Sequence, residues 1–385
     1  MIAVAVAVAL AGAGEGDGRK SETPERERTG SIQGRMMSDT VHARRVETRA
    51  GRRDEVGRYG TAWGPGVLMA LSLLVVGCQG DRVQSALHPA SPASHAIATL
   101  WWVLLAVCGI YTAGTFALFF YAIFRPKQEQ AAPSDGNLFI LMGGVFLPFV
   151  ILLALLIYST HATTHLQTPE TGLTIRVVGH RFWWEVEYPE YGIMNANEIH
   201  IPVGEPVRLE LRSGDVIHSF WVPQLHGKID MFPDLTTHFW IQADRAGIYR
   251  GQCAEFCGVQ HARMAFHVIA MPPKEFAAWV AEKQQPRPDP DAAVFQRGHP
   301  VFVRHRCVAC HAIRDTDAVA RAGPDLTHIG SRRMLGAATR LNTRENMRDW
   351  LADPNRIKPG VLMPPTENIS EEEIEALVDY MLSLK

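Results

Sequence analysis

The chain has 385 residues and a formal net charge of −2, and 47% of its residues are hydrophobic. This length allows two or three domains, and the near-neutral charge argues against nucleic-acid binding. Four of the six cysteines form two close pairs, Cys253/Cys257 and Cys307/Cys310. Close pairs with histidine nearby favour metal or haem chemistry over a disulfide framework.

Residues 1–78 predict a poorly ordered extension that ends in a lipoprotein-like signal peptide. The extension is rich in Gly, Arg and Glu and lacks a sustained apolar period. The apolar run at 67–76 is too short to cross a bilayer, which needs about 20 residues, and fits a signal-peptide core. It ends in the sequence VVGC, so that Cys78 is a candidate for lipidation. The alternative is an ordinary signal peptide with a chance cysteine.

Residues 97–158 predict a hairpin of two transmembrane helices. The segments 97–124 and 138–158 contain no charged side chain, and each is long enough to cross the lipid bilayer. An exported N-terminus places the loop between them in the cytoplasm, and Arg125 and Lys127 in that loop agree with the positive-inside rule. The sequence thus predicts a protein of the bacterial inner (cell) membrane, with the rest of the chain on the periplasmic or extracellular side.

Residues 170–283 predict an all-β domain. Val207, Leu209 and Leu211 alternate with charged residues, as in a strand with one buried face. Similar short runs are separated by Gly, Pro and Asp turns, which is typical of a sandwich or barrel.

A proline-rich stretch at 284–291, QQPRPDPD, predicts a linker to an all-α domain at 292–385. The last helix of that domain is marked by a capping box, Ser370 with Glu373, followed by one apolar stripe.

The most informative motif is CAEFCGVQHARM, which begins at Cys253. It places two thiolates (Cys253, Cys257), an imidazole (His261) and a thioether (Met264) within twelve residues, and His218 supplies a second imidazole. Soft sulfur with imidazole favours copper, zinc or iron–sulfur sites, and thioether ligation favours copper.

A dinuclear copper centre accounts for this set of ligands. Cys253 and Cys257 bridge two ions, and His218, His261, Met264 and the Glu255 carbonyl complete the coordination. A Cys253–Cys257 disulfide leaves the spacing of the histidine and methionine unexplained, and a structural zinc site does not use methionine.

From about residue 97 to 283 the chain resembles cytochrome oxidase subunit II. The motifs that carry the resemblance are GHRFWWE at 179–185, DVIHSFWVP at 215–223 and the cysteine motif. The resemblance implies a cupredoxin fold on a two-helix hairpin, docked to a catalytic subunit I with subunit III in the same complex. It also implies that the Glu255 side chain reaches a magnesium ion at the subunit I interface.

The resemblance assigns electron entry to a surface tryptophan that is replaced here by Phe182. Trp183 and Trp184 follow it, and which of the three residues serves electron entry is left open.

Cys307-Val-Ala-Cys310-His311 is a CxxCH motif, which predicts one covalent haem c with His311 as an axial ligand. The loops GPDLTHIG at 323–330 and PGVLMPP at 359–365 resemble those of class I cytochromes c. This match assigns Met363 as the sixth ligand.

The alternative residues for the sixth ligand are Met334, Met347, Met381 and His328. Arg332 and Arg333 are candidates for pairing with the haem propionates.

The domain order therefore predicts subunit II of a caa3-type oxidase. A cytochrome c or another periplasmic donor reduces the haem, the copper centre receives the electron, and subunit I reduces oxygen and pumps protons. Two alternatives remain: the second subunit of a copper-containing nitric oxide reductase, and a stand-alone membrane-anchored electron carrier.

Overall fold

The computed structural model describes residues 82–124, 136–164, 166–167, 169–285 and 291–385. The predicted signal peptide, Cys78 and the basic loop with Arg125 and Lys127 lie outside these residues.

Two long apolar helical segments match the predicted pair of membrane helices. α1 spans Pro92–Phe124. The second segment runs through α2 (Gly136–Leu141), a π-helical turn (Met142–Phe146) and α3 (Leu147–Thr164). Their most apolar windows have mean hydropathies of 2.1 and 2.9, and none of either window is buried in the described part of the chain. Helices that are apolar all round and unburied are suited to lipid.

The beginning of α1 is fastened to the β domain. The Ser94 hydroxyl donates to the Gln224 carbonyl at 2.7 Å. The Ala90 amide donates to the same carbonyl at 2.9 Å, and the Asp244 amide donates to the Ala90 carbonyl at 2.8 Å. These bonds fix the β domain directly at the end of the first membrane helix.

The β domain consists of two five-stranded sheets. The strands are β1 (Leu173–His180), β2 (Trp183–Tyr188), β3 (Ile193–Ala196), β4 (Glu198–Pro202), β5 (Val207–Ser213), β6 (His218–Trp221), β7 (Lys228–Met231), β8 (Thr237–Ile241), β9 (Gly247–Cys253) and β10 (Ala265–Met271). The strand orders are β3-β2-β1-β5-β8 in one sheet and β4-β10-β9-β6-β7 in the other. Most neighbouring strands are antiparallel, but β1 pairs with β5 and β10 with β4 in parallel.

The sandwich core forms because alternate side chains of each strand face inward. The predicted alternation in β5 is confirmed, since Val207, Leu209 and Leu211 are fully buried. Trp184 packs against Phe266 with ring centroids 4.9 Å apart. The helix α4 (Pro273–Gln284) closes the domain.

The C-terminal domain is built mainly from helices, as predicted. Its elements are α5 (Ala292–Arg304), the 3-10 turns Cys307–Ala309 and Ile329–Ser331, the short strands β11 (Met334–Leu335) and β12 (Arg340–Leu341), and the helices α6 (Arg344–Ala352), α7 (Pro354–Ile357) and α8 (Glu371–Ser383).

α5 and α8 pack closely in the core of this domain. A Cβ on Gly298 of α5 would lie 2.3 Å from the Tyr380 Cβ of α8, so the helices approach each other only because residue 298 is glycine. The capping box of Ser370 and Glu373 is present at the start of α8. Met381 lies in this core and is 1% exposed.

Candidate metal and haem sites

The pairing of β6 with β9 brings the predicted copper ligands together. His218 begins β6 and Cys253 ends β9, and Phe220 of β6 stands opposite Cys253. The imidazole Nδ1 of His218 lies 3.8 Å from the Cys253 sulfur. The loop that follows β9 then returns Cys257 to within 3.8 Å, sulfur to sulfur. This separation is far beyond the disulfide bond length of about 2.05 Å.

The other two predicted side-chain ligands lie next to Cys257. Its sulfur is 3.7 Å from His261 Nδ1 and 3.7 Å from the Met264 sulfur. The Glu255 carbonyl accepts a hydrogen bond from the Cys253 thiol at 3.1 Å. All six predicted ligand groups therefore meet at one end of the β domain.

The spacing of these atoms fits a metal centre. Ligands at about 2.3 Å from a tetrahedral ion stand about 3.8 Å from one another, which is the observed spacing. The ligand atoms of His218, Cys253 and Cys257 all lie within 4.8 Å of one another, and the three residues are buried. Thiolate, imidazole and thioether together fit copper.

Asp215 orients the His218 ring, a role that our sequence analysis missed. His218 Nε2 lies 2.8 Å from the Asp215 carboxylate, so that Nδ1 is free to face the sulfur atoms. Burial lowers the pKa of His218, and the hydrogen bonds with Cys253 and Asp215 outweigh burial and raise it. The spacing DVIH, an acid three residues before a ligand histidine, was the available signal.

The two thiols share their protons unequally. The hydrogen bond between the two sulfur atoms lowers the pKa of Cys253 and raises the pKa of Cys257. The pair therefore gives up its first proton readily. A deprotonated sulfur is the form that binds metal.

The CxxCH motif lies in the turn after α5. Cys307 is half-buried against the domain core and Cys310 is exposed. The His311 Nδ1 donates to the Pro324 carbonyl at 2.7 Å, so that Nε2 remains for an iron ion. Burial lowers the pKa of His311 and favours the neutral imidazole that binds metal. These features fit a covalently attached haem.

Close packing supports the same orientation of His311. A Cβ on Gly323 would lie 2.6 Å from the ring. Gly323 and the Pro324 carbonyl therefore both contact the ring of the predicted axial ligand. This contact explains the glycine and proline that begin the GPDL sequence.

Among the methionines, Met363 is half-buried and packs against the domain core, whereas Met347 is 2% exposed within it. The Met334 amide donates to Glu198 at 3.2 Å. His328 Nδ1 donates to the Lys385 carbonyl, 3.0 Å away. Met363 thus lies on a loop at the edge of the core, whereas Met347 is enclosed by it.

Pairing of Arg332 and Arg333 with the haem propionates stays a prediction. The Arg332 side chain is buried and donates to Asn195 of the β domain at 3.0 Å and to the Asp325 carbonyl. Arg333 is exposed, and its backbone amide donates to Glu198 at 2.7 Å. Both arginines therefore take part in contact between the two domains.

The three aromatic candidates for electron entry have different surroundings. Phe182 is 5% exposed, and Trp184 is fully buried. Trp183 is half-buried and stacks on His180 with centroids 4.5 Å apart. The cytochrome-like domain covers Phe182, because Lys358 donates to the Phe182 carbonyl at 2.8 Å. The sequence carried no signal for this contact.

Two families match successive parts of the chain. Residues 193–271 match cytochrome C oxidase subunit II, periplasmic domain, and residues 295–385 match cytochrome c.

Curated relatives extend over most of the chain. The cytochrome c oxidase subunit 2 of Alkalihalophilus pseudofirmus is 34% identical over 330 residues, covering 83% of this chain and 96% of the relative. That of Bacillus subtilis is 31% identical, with the same two coverages. The solved periplasmic domain of subunit II of cytochrome oxidase from Bradyrhizobium japonicum is 30% identical over 31% of this chain, covering 97% of that domain, with a TM-score of 0.30. On the strength of the full-length relatives, the chain belongs to the cytochrome c oxidase subunit 2 family and carries a cytochrome c domain at its C-terminus.

Proposed function

We propose that this subunit carries electrons from a cytochrome c-type donor through its own haem c and a dinuclear copper centre to subunit I, where oxygen is reduced. The observation that carries the proposal is the convergence of two thiols, two imidazoles and a thioether at 3.7–3.8 Å spacings in the same chain as a CxxCH motif.

In the copper site, Cys253 and Cys257 would bridge two ions, with His218, His261, Met264 and the Glu255 carbonyl as terminal ligands. When bound, such a centre accepts and releases one electron shared between its two metals. The protein holds the ligands in place beforehand, since Cys253, Cys257 and Met264 are 3%, 5% and 0% exposed. Burial of these three side chains keeps ligand movement small as charge changes.

In the haem site, Cys307 and Cys310 would form the two thioether links, and His311 and Met363 would be the axial ligands. Asn355 donates to the Met363 carbonyl at 3.3 Å and steadies the loop. The hydrogen bond from His311 to Pro324 fixes the tautomer that presents Nε2.

The loop that carries Glu255 supports a contact with subunit I. Phe256, beside it, is 77% exposed, and a large exposed aromatic at the tip of a rigid site is suited to a protein interface. We place the magnesium ion at the Glu255 side chain in that interface, and subunit III in the same complex.

The two apolar helices would anchor the chain in the bacterial cell membrane, with both redox domains on the periplasmic or extracellular side.

Metal and haem analysis of the purified complex tests the proposal. We expect two coppers per covalent haem in this subunit, after the metal content of subunit I is subtracted. Cys257→Ser is expected to remove the copper and leave the haem, and His311→Ala to disturb the haem spectrum and leave the copper. Zinc in place of copper, or haem without copper, would contradict the proposal.

A further inference from the structure

The loop that leads to Met363 lies directly on the loop that carries the predicted copper ligands. Gln260 donates to the Pro359 carbonyl, and Arg263 donates to the Ile357 carbonyl at 2.8 Å. A Cβ on Gly360 would lie 2.6 Å from a methyl group of Val259, so the Val259 side chain packs directly against the backbone of residue 360.

Lys358 is buried in the middle of this contact. It is 1% exposed, and its ammonium donates to the Phe182 carbonyl at 2.8 Å and to the Gly336 carbonyl at 3.2 Å. Phe182 belongs to the β domain, whereas Lys358 and Gly336 belong to the cytochrome domain. Burial lowers the pKa of Lys358 to about 7. An ammonium is costly to bury, and the two carbonyls compensate part of that cost.

Phe182 joins the lysine to the copper-ligand loop. A Cβ on Gly258 would lie 3.1 Å from the Phe182 ring, so the ring rests on the residue that follows Cys257. A continuous series of contacts therefore leads from Lys358 through Phe182 and Gly258 to a predicted bridging ligand.

A second group of contacts holds the two domains together independently of Lys358. Glu198 accepts from the Arg333 amide at 2.7 Å, and Arg332 donates to Asn195 at 3.0 Å. The Lys283 ammonium donates to the Ser331 hydroxyl at 2.9 Å. Loss of the lysine would therefore loosen the ligand loops without separating the domains.

We propose that Lys358 is a positioning residue for electron transfer within the chain, and that its ammonium clamps the haem-ligand loop onto the copper-ligand loop through the Phe182 carbonyl. The inference rests on the proposed function, because it concerns the step between the two redox groups. Electron transfer slows steeply with separation, so a loosened contact slows this step while both groups keep their ligands.

The test uses Lys358→Met in the complete oxidase complex, with Lys274→Met, an exposed lysine on α4, as the matched control. Hydrogen exchange by mass spectrometry reports the loops around Phe182 and Gly258. Flash reduction of the haem followed by the appearance of reduced copper gives the internal transfer rate. Removal of the lysine donor leaves a buried carbonyl unsatisfied and is expected to increase hydrogen exchange in both loops by about tenfold. The transfer rate is expected to fall below that of the control.

Haem content, copper content and both absorption spectra are expected to stay at wild-type values in Lys358→Met, which separates positioning from loss of a site. Lys358→Gln keeps a shorter amide donor, so its exchange and transfer rate are expected to lie between those of the wild type and of Lys358→Met. It replaces Lys358→Met in the test if that variant does not assemble. If either variant holds both cofactors and shows the same exchange and the same transfer rate as the Lys274→Met control, the proposed role of Lys358 is wrong. Absence of copper or haem in the wild type would instead contradict the proposed function.

Discussion

The proposed copper ligands stand on and beside paired strands, whereas the proposed haem ligands stand on loops. His218 and Met264 are fully buried, and the sheet pairing alone brings His218 to Cys253. Cys310 is exposed and Met363 is half-buried on the outside of a helical core. The copper site is therefore organised by the fold itself, while the haem region depends on a covalent group to cover its ligands.

Removing haem attachment gives the largest expected difference between the two regions. The double substitution Cys307→Ala with Cys310→Ala is expected to abolish covalent haem and to increase hydrogen exchange throughout the cytochrome domain. Copper content is expected to stay at the wild-type value, because none of its ligands lies in that domain. Haem staining of the denatured subunit and copper analysis measure the two outcomes. Loss of copper along with haem would show that the copper site depends on the cytochrome domain, which contradicts the comparison.

A smaller effect is expected when only the support of a copper ligand is removed. Asp215→Asn weakens the hydrogen bond that orients His218. Loss of such a partner typically lowers metal affinity by about 10–100-fold. Competition with a copper chelator measures this affinity, and Asp234→Asn on the exposed surface is the control. Equal affinities in the two variants would show that strand pairing alone orients the ring.

Two glycines permit a matched comparison of the sites. A Cβ on Gly323 would lie 2.6 Å from the His311 ring, and one on Gly179 would lie 2.9 Å from the His218 ring. Overpacking typically costs about 1–3 kcal/mol. We expect Gly323→Ala to shift the haem spectrum and lower the thermal midpoint of the cytochrome domain, and Gly179→Ala to affect the copper band less.

Gly172→Ala is the control for both substitutions, since a Cβ there meets nothing within 4 Å. A larger change at copper than at haem would reverse the expected order and indicate that the copper site is the less tolerant of the two.

The smallest predicted effect concerns acid stability of the β domain. Burial lowers the pKa of His200 to about 3. The unfolded chain, with an ordinary pKa of about 6.5, takes up the proton first, so stability falls as pH falls below 7. Between pH 7 and 6 this linkage amounts to about 0.7 kcal/mol.

His200→Phe retains an aromatic ring against Trp279, 4.3 Å away between centroids, and removes the titration. Heating until the copper band disappears, at pH 7 and pH 6, is expected to show a smaller pH difference in this variant than in the exposed His238→Phe control. If the temperature of copper-band loss changes equally with pH in both variants, groups other than His200 cause the acid sensitivity.

Local patterns predicted most of the fold. The apolar runs at 97–124 and 138–158 gave both membrane helices, and the alternation around Leu209 gave a sandwich strand, because these signals depend on periodicity and length alone. The capping box at Ser370 was predicted for the same reason. The spacing of the cysteine motif likewise predicted a group of side chains that the fold brings together, since most of its members are close in sequence.

Contacts between distant segments could not be predicted. Lys358 and Phe182 are 176 residues apart, and Arg332 was placed near the haem because its loop resembles cytochromes rather than by any knowledge of its neighbours. The sequence therefore predicts both sites but contains no information about the interface that joins them, which depends on how the two domains pack.

The order in which an electron reaches the two groups tests the central claim most directly. In the purified complex, one electron is delivered rapidly to the haem and the haem and near-infrared copper bands are followed together. We predict that the copper centre becomes reduced at the same rate as the haem is reoxidised, before the electron appears in subunit I. Reoxidation of the haem with no change in the copper band would contradict the account.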